Sequence, residues 1–187
     1  MKLLSFHNKT LSLEDLIDQC KNEDRKAQKA LYERFAPVML GLCRRYVKQI
    51  EIAEEMMSNG FIKAFRYIGQ FENKGSFEGW LRKIMVRECL DHLRTEKNLI
   101  VSVDSFSPQI EPYEHATTHM EAEELLTLID TLPNGYREIF NLYVIEGYKH
   151  HEIADLLKIS ENTSKTQLMK AKNAIQKKVT ELEGLRV

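Results

Sequence analysis

Before residue 98, apolar positions recur at intervals of three and four, the spacing of helices that bury one face. Ser12 stands where it can cap a first helix, whose apolar side is Leu13, Leu16 and Ile17. Asp24 can cap a second helix, carrying Ala27, Leu31 and Phe35 and, past Pro37, Leu40, Tyr46 and Val47. Pro37 has no N–H and its ring crowds the preceding turn, so it is expected to kink or divide that segment. A third helix is expected from about Ile52 to Tyr67, with Phe61, Ala64, Phe65 and Ile68 at helical spacing. A fourth starts at Ser76, with Phe77, Trp80, Leu81, Ile84 and Leu90 along one face. Between these two lies a loop, Gly69 to Gly75, with glycine at both ends and Phe71 inside.

The run from Ile145 to Lys178 has a different pattern: a short helix, a tight turn and a lysine-rich helix. Ile153, Ala154, Leu156 and Leu157 give the short helix its apolar face, Lys158, Ile159 and Ser160 form the turn, and the second helix begins near Glu161. Ser160 suits an N-cap, its hydroxyl accepting from an orphan N–H, and Glu161 sits at the positive end of the helix dipole. At roughly 100° per residue, Ser164, Leu168, Ala171, Ile175 and Val179 fall in one inward stripe. Asn162, Lys165, Thr166, Met169, Lys170 and Asn173 are left outward. Those side chains suit a DNA-reading helix: lysine for phosphate or guanine, asparagine for adenine, methyl groups for thymine. The alternative for the lysines alone is a solvated face.

Composition, with 43% hydrophobic and 29% charged residues, is that of a soluble globular chain. The net charge of −1 hides an uneven distribution. Residues 98–124 carry six acidic and no basic side chains, whereas residues 160–178 carry five lysines and one glutamate, so the local potential at the lysine-rich helix is positive. Residues 98–118, with Ser102, Ser105, Ser107, Pro108 and Pro112 and no sustained apolar period, read as a flexible acidic linker. The expected fold is all-α: two small helical domains, residues 1–97 and 119–187, joined by the linker 98–118. Cys20, Cys43 and Cys89 are odd in number and lack C-x-x-C spacing, so buried thiols in a reducing cytosol are expected, with no disulfide framework or zinc ribbon. No apolar run approaches the roughly 18 residues of a membrane span, so no direct membrane insertion is expected.

The Gly69–Gly75 loop has two readings. Phe71, flanked by amide and basic groups, is either a platform for an unpaired base, with Arg66, Lys74, Arg82, Lys83 and Arg87 guiding phosphates, or a core anchor. Trp80 belongs to the core. His150-His151-Glu152 has some of the residue types of a zinc-hydrolase helix, but the residue four after His151 is Asp155, and Ile153-Ala154 belong to the helix-turn-helix. His115 and His119, in or beside the linker, are a second i, i+4 pair. No metal, cofactor or catalytic set is expected from these patterns.

Two motif sets make the resemblance specific. Ala53-Glu54-Glu55, Phe61-Ile62-Lys63-Ala64-Phe65-Arg66, Phe71, Ser76-Phe77-Glu78-Gly79-Trp80-Leu81 and Asp91-His92-Leu93-Arg94 resemble the core domain of bacterial RNA polymerase sigma factors of the extracytoplasmic-function (ECF) group. Leu132-Pro133-Asn134-Gly135-Tyr136-Arg137-Glu138-Ile139-Phe140, Glu146-Gly147-Tyr148 and Glu152-Ile153-Ala154 resemble the −35-reading domain of the same group. The resemblance implies a cytoplasmic, non-enzymatic subunit that binds core RNA polymerase and promoter DNA and is held by an anti-sigma factor. It implies polymerase contacts from Glu54, Glu55, Met56, Ser58 and Phe61. It further implies −10 contacts from Phe71, Asn73, Lys74, Ser76 and Arg87, and −35 contacts from Asn162, Lys165, Thr166, Met169 and Lys170. The chain departs from the group's pattern at Ser58, Arg87, Lys158 and Ser164. Lys158 costs turn stability if a left-handed residue is needed there, and the Ser164 hydroxyl is expected to bond back to a helix carbonyl. The other function class is a polymerase-independent helix-turn-helix regulator, which binds operator DNA by itself.

Overall fold

The computed structural model describes residues 11–99 and 122–184, and every regular element among them is helical. The linker region 98–118 lies almost wholly outside the described residues, as do His115 and His119. Four helices make the N-terminal half: α1 (Leu13–Lys21), α2 (Arg25–Tyr46), α3 (Ile50–Tyr67) and α4 (Phe77–Leu99). Their starts follow from local chemistry. Ser12 Oγ accepts the Asp15 N–H at 3.1 Å while the Asp15 carboxylate accepts the Ser12 N–H at 3.2 Å, a closed capping box. The Asp24 carboxylate takes the Ala27 N–H at 2.8 Å, and Ser76 Oγ takes that of Gly79 at 3.0 Å.

Pro37 lies inside α2 without dividing it, contrary to one of the two expected outcomes. Proline removes the hydrogen bond to the carbonyl four residues back, on Glu33. Both Pro37 and Glu33 are exposed, so water can take the missing donor's place. The buried face of α2, with Leu31, Met39, Leu42 and Tyr46 at 0% exposure, packs against α1, α3 and α4. Helices α3 and α4 come close at Gly60, where an added Cβ would run into Met85 Sδ. The ion pair of Lys63 with the buried carboxylate of Glu88 ties the same two helices.

The C-terminal half consists of α5 (Ala122–Asp130), α6 (Asn134–Phe140), α7 (His150–Leu157) and α8 (Glu161–Gly184). Helix α6 winds on through a π-helical turn at Asn141–Ile145, which the sequence pattern did not predict. Ile129, Leu132, Ile139, Leu142, Ile153, Leu168 and Ala171 form the core between these helices and α8. The halves touch where the end of α2 and the outer face of α4 meet α5, the π turn and α7.

Candidate nucleic-acid interface

Helix α7 ends at Lys158, whose φ of 57° and ψ of 46° are left-handed, and the chain turns into α8. Ser160 Oγ accepts the Thr163 N–H at 3.0 Å and caps α8, so the expected turn and helix start are both present. Ser164, Leu168 and Ala171 are buried along the inward stripe. Asn162, Lys165, Thr166 and Met169 are exposed on the opposite face, and Lys170 is half-buried beside them. Lys165 Nζ lies 3.6 Å from a Glu161 carboxylate oxygen, an exposed pair that leaves the lysine available to a phosphate.

The Ser164 hydroxyl does not take the expected partner in its own helix. It lies 2.9 Å from Nδ1 of His150, at the start of α7. The imidazole stacks on Tyr143 from the π turn, with ring centroids 4.4 Å apart. Burial, then the positive charge of Lys165, pulls the pKa of His150 below its ordinary value. His150 is thereby committed to the helix-turn-helix, and among the described residues no three His, Cys, Asp or Glu side chains converge on a metal position.

At the other end of the chain, Phe71 is 5% exposed. Its ring meets Phe77 edge-on at 5.4 Å and Trp80 at 5.6 Å, and Phe77 also contacts Phe35 at 5.4 Å. Of the two readings of Phe71, this packing favours the core anchor. The ring is a core anchor, carried by the 3₁₀ turn at Ile68–Gln70, where the chain leaves α3, onto Phe77 and Trp80 of α4. The loop beyond it stays open: Asn73, Lys74 and Ser76 are exposed, with φ of 57° at Asn73 and 89° at Gly75. Lys74 Nζ pairs with Glu72 at 2.6 Å. Arg87 is exposed but sits eleven residues after Ser76, about 16 Å along α4 at roughly 1.5 Å per residue. It lines a cavity of about 340 Å³ with Asp91, Arg94, Asp155 and Lys158.

On α3 the expected polymerase contacts divide by helical phase. Glu54, Glu55 and Ser58 are exposed, whereas Met56 and Phe61 are 5% and 3% exposed and belong to the core, Phe61 against Tyr32 at 4.7 Å. In this structure Met56 and Phe61 thus pack inward and are not on the exposed face of α3. Ile62, 57% exposed and one turn from Ser58, is the apolar residue that the sequence reading passed over. Its spacing from Glu55 and Ser58 was the available signal.

Known proteins agree with this arrangement. Sigma-70 region 2 matches residues 31–99 and Sigma-70, region 4 matches residues 122–175, in chain order and together over more than half of the chain. The RNA polymerase sigma-H factor of Pseudomonas aeruginosa is 25% identical over 177 residues, 88% of this chain and 92% of that protein. The ECF RNA polymerase sigma-E factor of Haemophilus influenzae is 26% identical over 180 residues, 89% of this chain and 95% of that protein. Two solved structures share the fold. RpoE of Bartonella quintana, in complex with the anti-sigma factor NepR, has a TM-score of 0.53 at 19% identity, covering 81% of this chain and 96% of that one. CnrH, in complex with the cytosolic domain of CnrY, has 0.50 at 16%, covering 89% and 96%. The chain belongs to the sigma-70 family, in the extracytoplasmic-function group of RNA polymerase sigma factors, and it directs promoter-specific transcription initiation.

Proposed function

We propose that the work of this sigma factor divides among three surfaces. The outward face of α8, with Asn162, Lys165, Thr166, Met169 and Lys170, reads the −35 major groove. The open loop residues Asn73, Lys74 and Ser76 hold the unpaired −10 strand while Phe71 fixes the loop from inside. Glu54, Glu55, Ser58 and Ile62 of α3 meet core polymerase. The protein acts in the cytoplasm as a dissociable, non-catalytic subunit, with no cofactor. An anti-sigma factor is its regulatory partner, as the anti-sigma factor NepR is found bound to RpoE of Bartonella quintana. Bound polymerase offsets the cost of unstacking a base, roughly a few kcal/mol per nucleotide, so neither small domain opens DNA alone.

The observation that carries this reading is the capped α8 with its polar, lysine-bearing face in the open and its apolar stripe buried. Reconstituted transcription tests it. Promoter-specific initiation is expected only when core polymerase is added, and a folded preparation that never associates with cognate core enzyme rejects it. Lys165→Ala with Lys170→Ala is expected to weaken −35 binding while polymerase association persists. Loss of polymerase association instead would mean that the polymerase surface has been misplaced.

A further inference from the structure

The first three turns of α8 carry the residues assigned to DNA, yet their first inward position is a serine. Ser164 is 0% exposed and smaller than Leu168, the inward residue one turn on. The half-buried imidazole of His150 lies against its hydroxyl. It joins three segments at one ring: its own helix α7, the π turn through the Tyr143 stack at 4.4 Å, and α8 through the 2.9 Å contact with Ser164 Oγ. Resting on the assignment of α8 to the −35 element, we infer that His150 is a positioning residue for promoter reading, setting with Tyr143 and Ser164 the angle at which α8 presents Lys165 and Thr166.

The chemistry fixes the direction of the bond. Lys165 and Lys172 of α8 oppose protonation of His150 and Glu161 favours it, after burial, which opposes it most. The π turn contributes an uncharged phenol ring. A neutral imidazole with its proton on Nε2 offers Nδ1 as acceptor, and the Ser164 hydroxyl donates to it. Loss of either partner unties the start of α8 from α7 at this ring. The released turn leads into Lys165 and Thr166, so the loss appears in DNA discrimination and not only in stability.

The test uses the full chain with core polymerase. Holoenzyme affinity is measured for two promoters with the same −10 element, one with the cognate −35 element and one with it scrambled, and the ratio is the readout. His150→Ala and Ser164→Ala are each expected to lower that ratio about fivefold, the worth of one net hydrogen bond, and the double variant no further. His150→Asn, whose amide reaches the place of Nδ1, is expected to recover part of the loss. In NMR titrations the wild-type His150 is expected below its ordinary pKa and to rise in Ser164→Ala, because the hydroxyl stabilises the neutral ring. A ratio at the wild-type value in either single variant, additive losses in the double variant, or an unmoved titration overturns the proposal. Where His150→Ala does not melt cooperatively, His150→Asn and Ser164→Ala carry the same comparison. Lys165→Ala/Lys170→Ala is run in parallel. If that variant also keeps the wild-type ratio, the −35 assignment of α8 has failed; if it alone loses discrimination, only the positioning role of His150 has.

Discussion

Lys158 holds a left-handed backbone, φ 57°, at the one point where α7 must turn into α8. A side chain there is strained, by roughly 1 kcal/mol relative to glycine, because Cβ crowds the following carbonyl. Lys158→Gly is therefore expected to raise the unfolding free energy by about 0.5–1 kcal/mol in urea denaturation of the full chain, even though glycine also loosens the unfolded state. A lower midpoint would show that the lysine chain stabilises the turn by contacts of its own. The strain was visible from sequence as a lysine at a turn position, as were the caps at Ser12, Asp24 and Ser160, because each depends on neighbours within three or four residues. The partner of Ser164 was not visible. It lies 14 residues away and required the helix crossing to bring His150 over.

At the scale of elements, helical periodicity located α1 to α4 and the α7–α8 pair, and on α3 it set Phe61 with Ala64 and Ile68 on the side that is buried. The surface role of Met56 and Phe61 came from the resemblance alone, and the packing of α2 and α4 against α3 buries both. Phe71 was ambiguous: a loop aromatic is a platform or an anchor according to what stands behind it, and here that is Phe77 and Trp80. The division of α3 predicts two separable phenotypes. Phe61→Ala deletes a ring from a filled core and is expected to cost about 3–5 kcal/mol of stability. Ile62→Glu changes an exposed position, so stability should stay within about 0.5 kcal/mol, while affinity for core polymerase falls about tenfold or more. Thermal melts and polymerase pull-down of the two variants check this directly. An Ile62→Glu variant that binds polymerase like the wild type removes Ile62 from the interface.

At the scale of the molecule, the contact between the halves competes with the surface expected to guide DNA. Arg82 contacts Glu146 at 3.3 Å, Arg45 reaches the same carboxylate at 3.0 Å, and Arg44 pairs with Asp130 at 2.9 Å. Arg94 donates to the Leu156 carbonyl, and Arg87 and Arg94 share their cavity with Asp155. Carboxylates of the C-terminal half thus stand beside the α4 arginines Arg82, Arg87 and Arg94. The −10 and −35 elements, by their names about 25 base pairs apart, are separated by roughly 85 Å at about 3.4 Å per step. Halves in direct contact cannot occupy both. The 22 residues from 100 to 121 reach at most about 75 Å when extended, enough with the widths of the two domains to span the elements. The junction also has the chemistry of a contact that can part. Among the described residues, Tyr46 Oη, Arg45 Nε and Asn141 Oδ1 are buried there without a hydrogen bond to another protein group, and a buried ion pair adds little net stability over its desolvation cost. Glu146 is the point of leverage, its side chain 4% exposed between two guanidinium groups. Glu146→Gln leaves both arginines facing a neutral amide. After allowance for the 30% exposure of Arg82, this is expected to weaken the contact by about 1–3 kcal/mol and shift the free protein toward separated halves. Solution scattering of the free chain is then expected to give a larger radius of gyration for the variant at low salt, with the wild type approaching it as salt is raised. Identical scattering at every salt concentration would show that Glu146 does not hold the halves together.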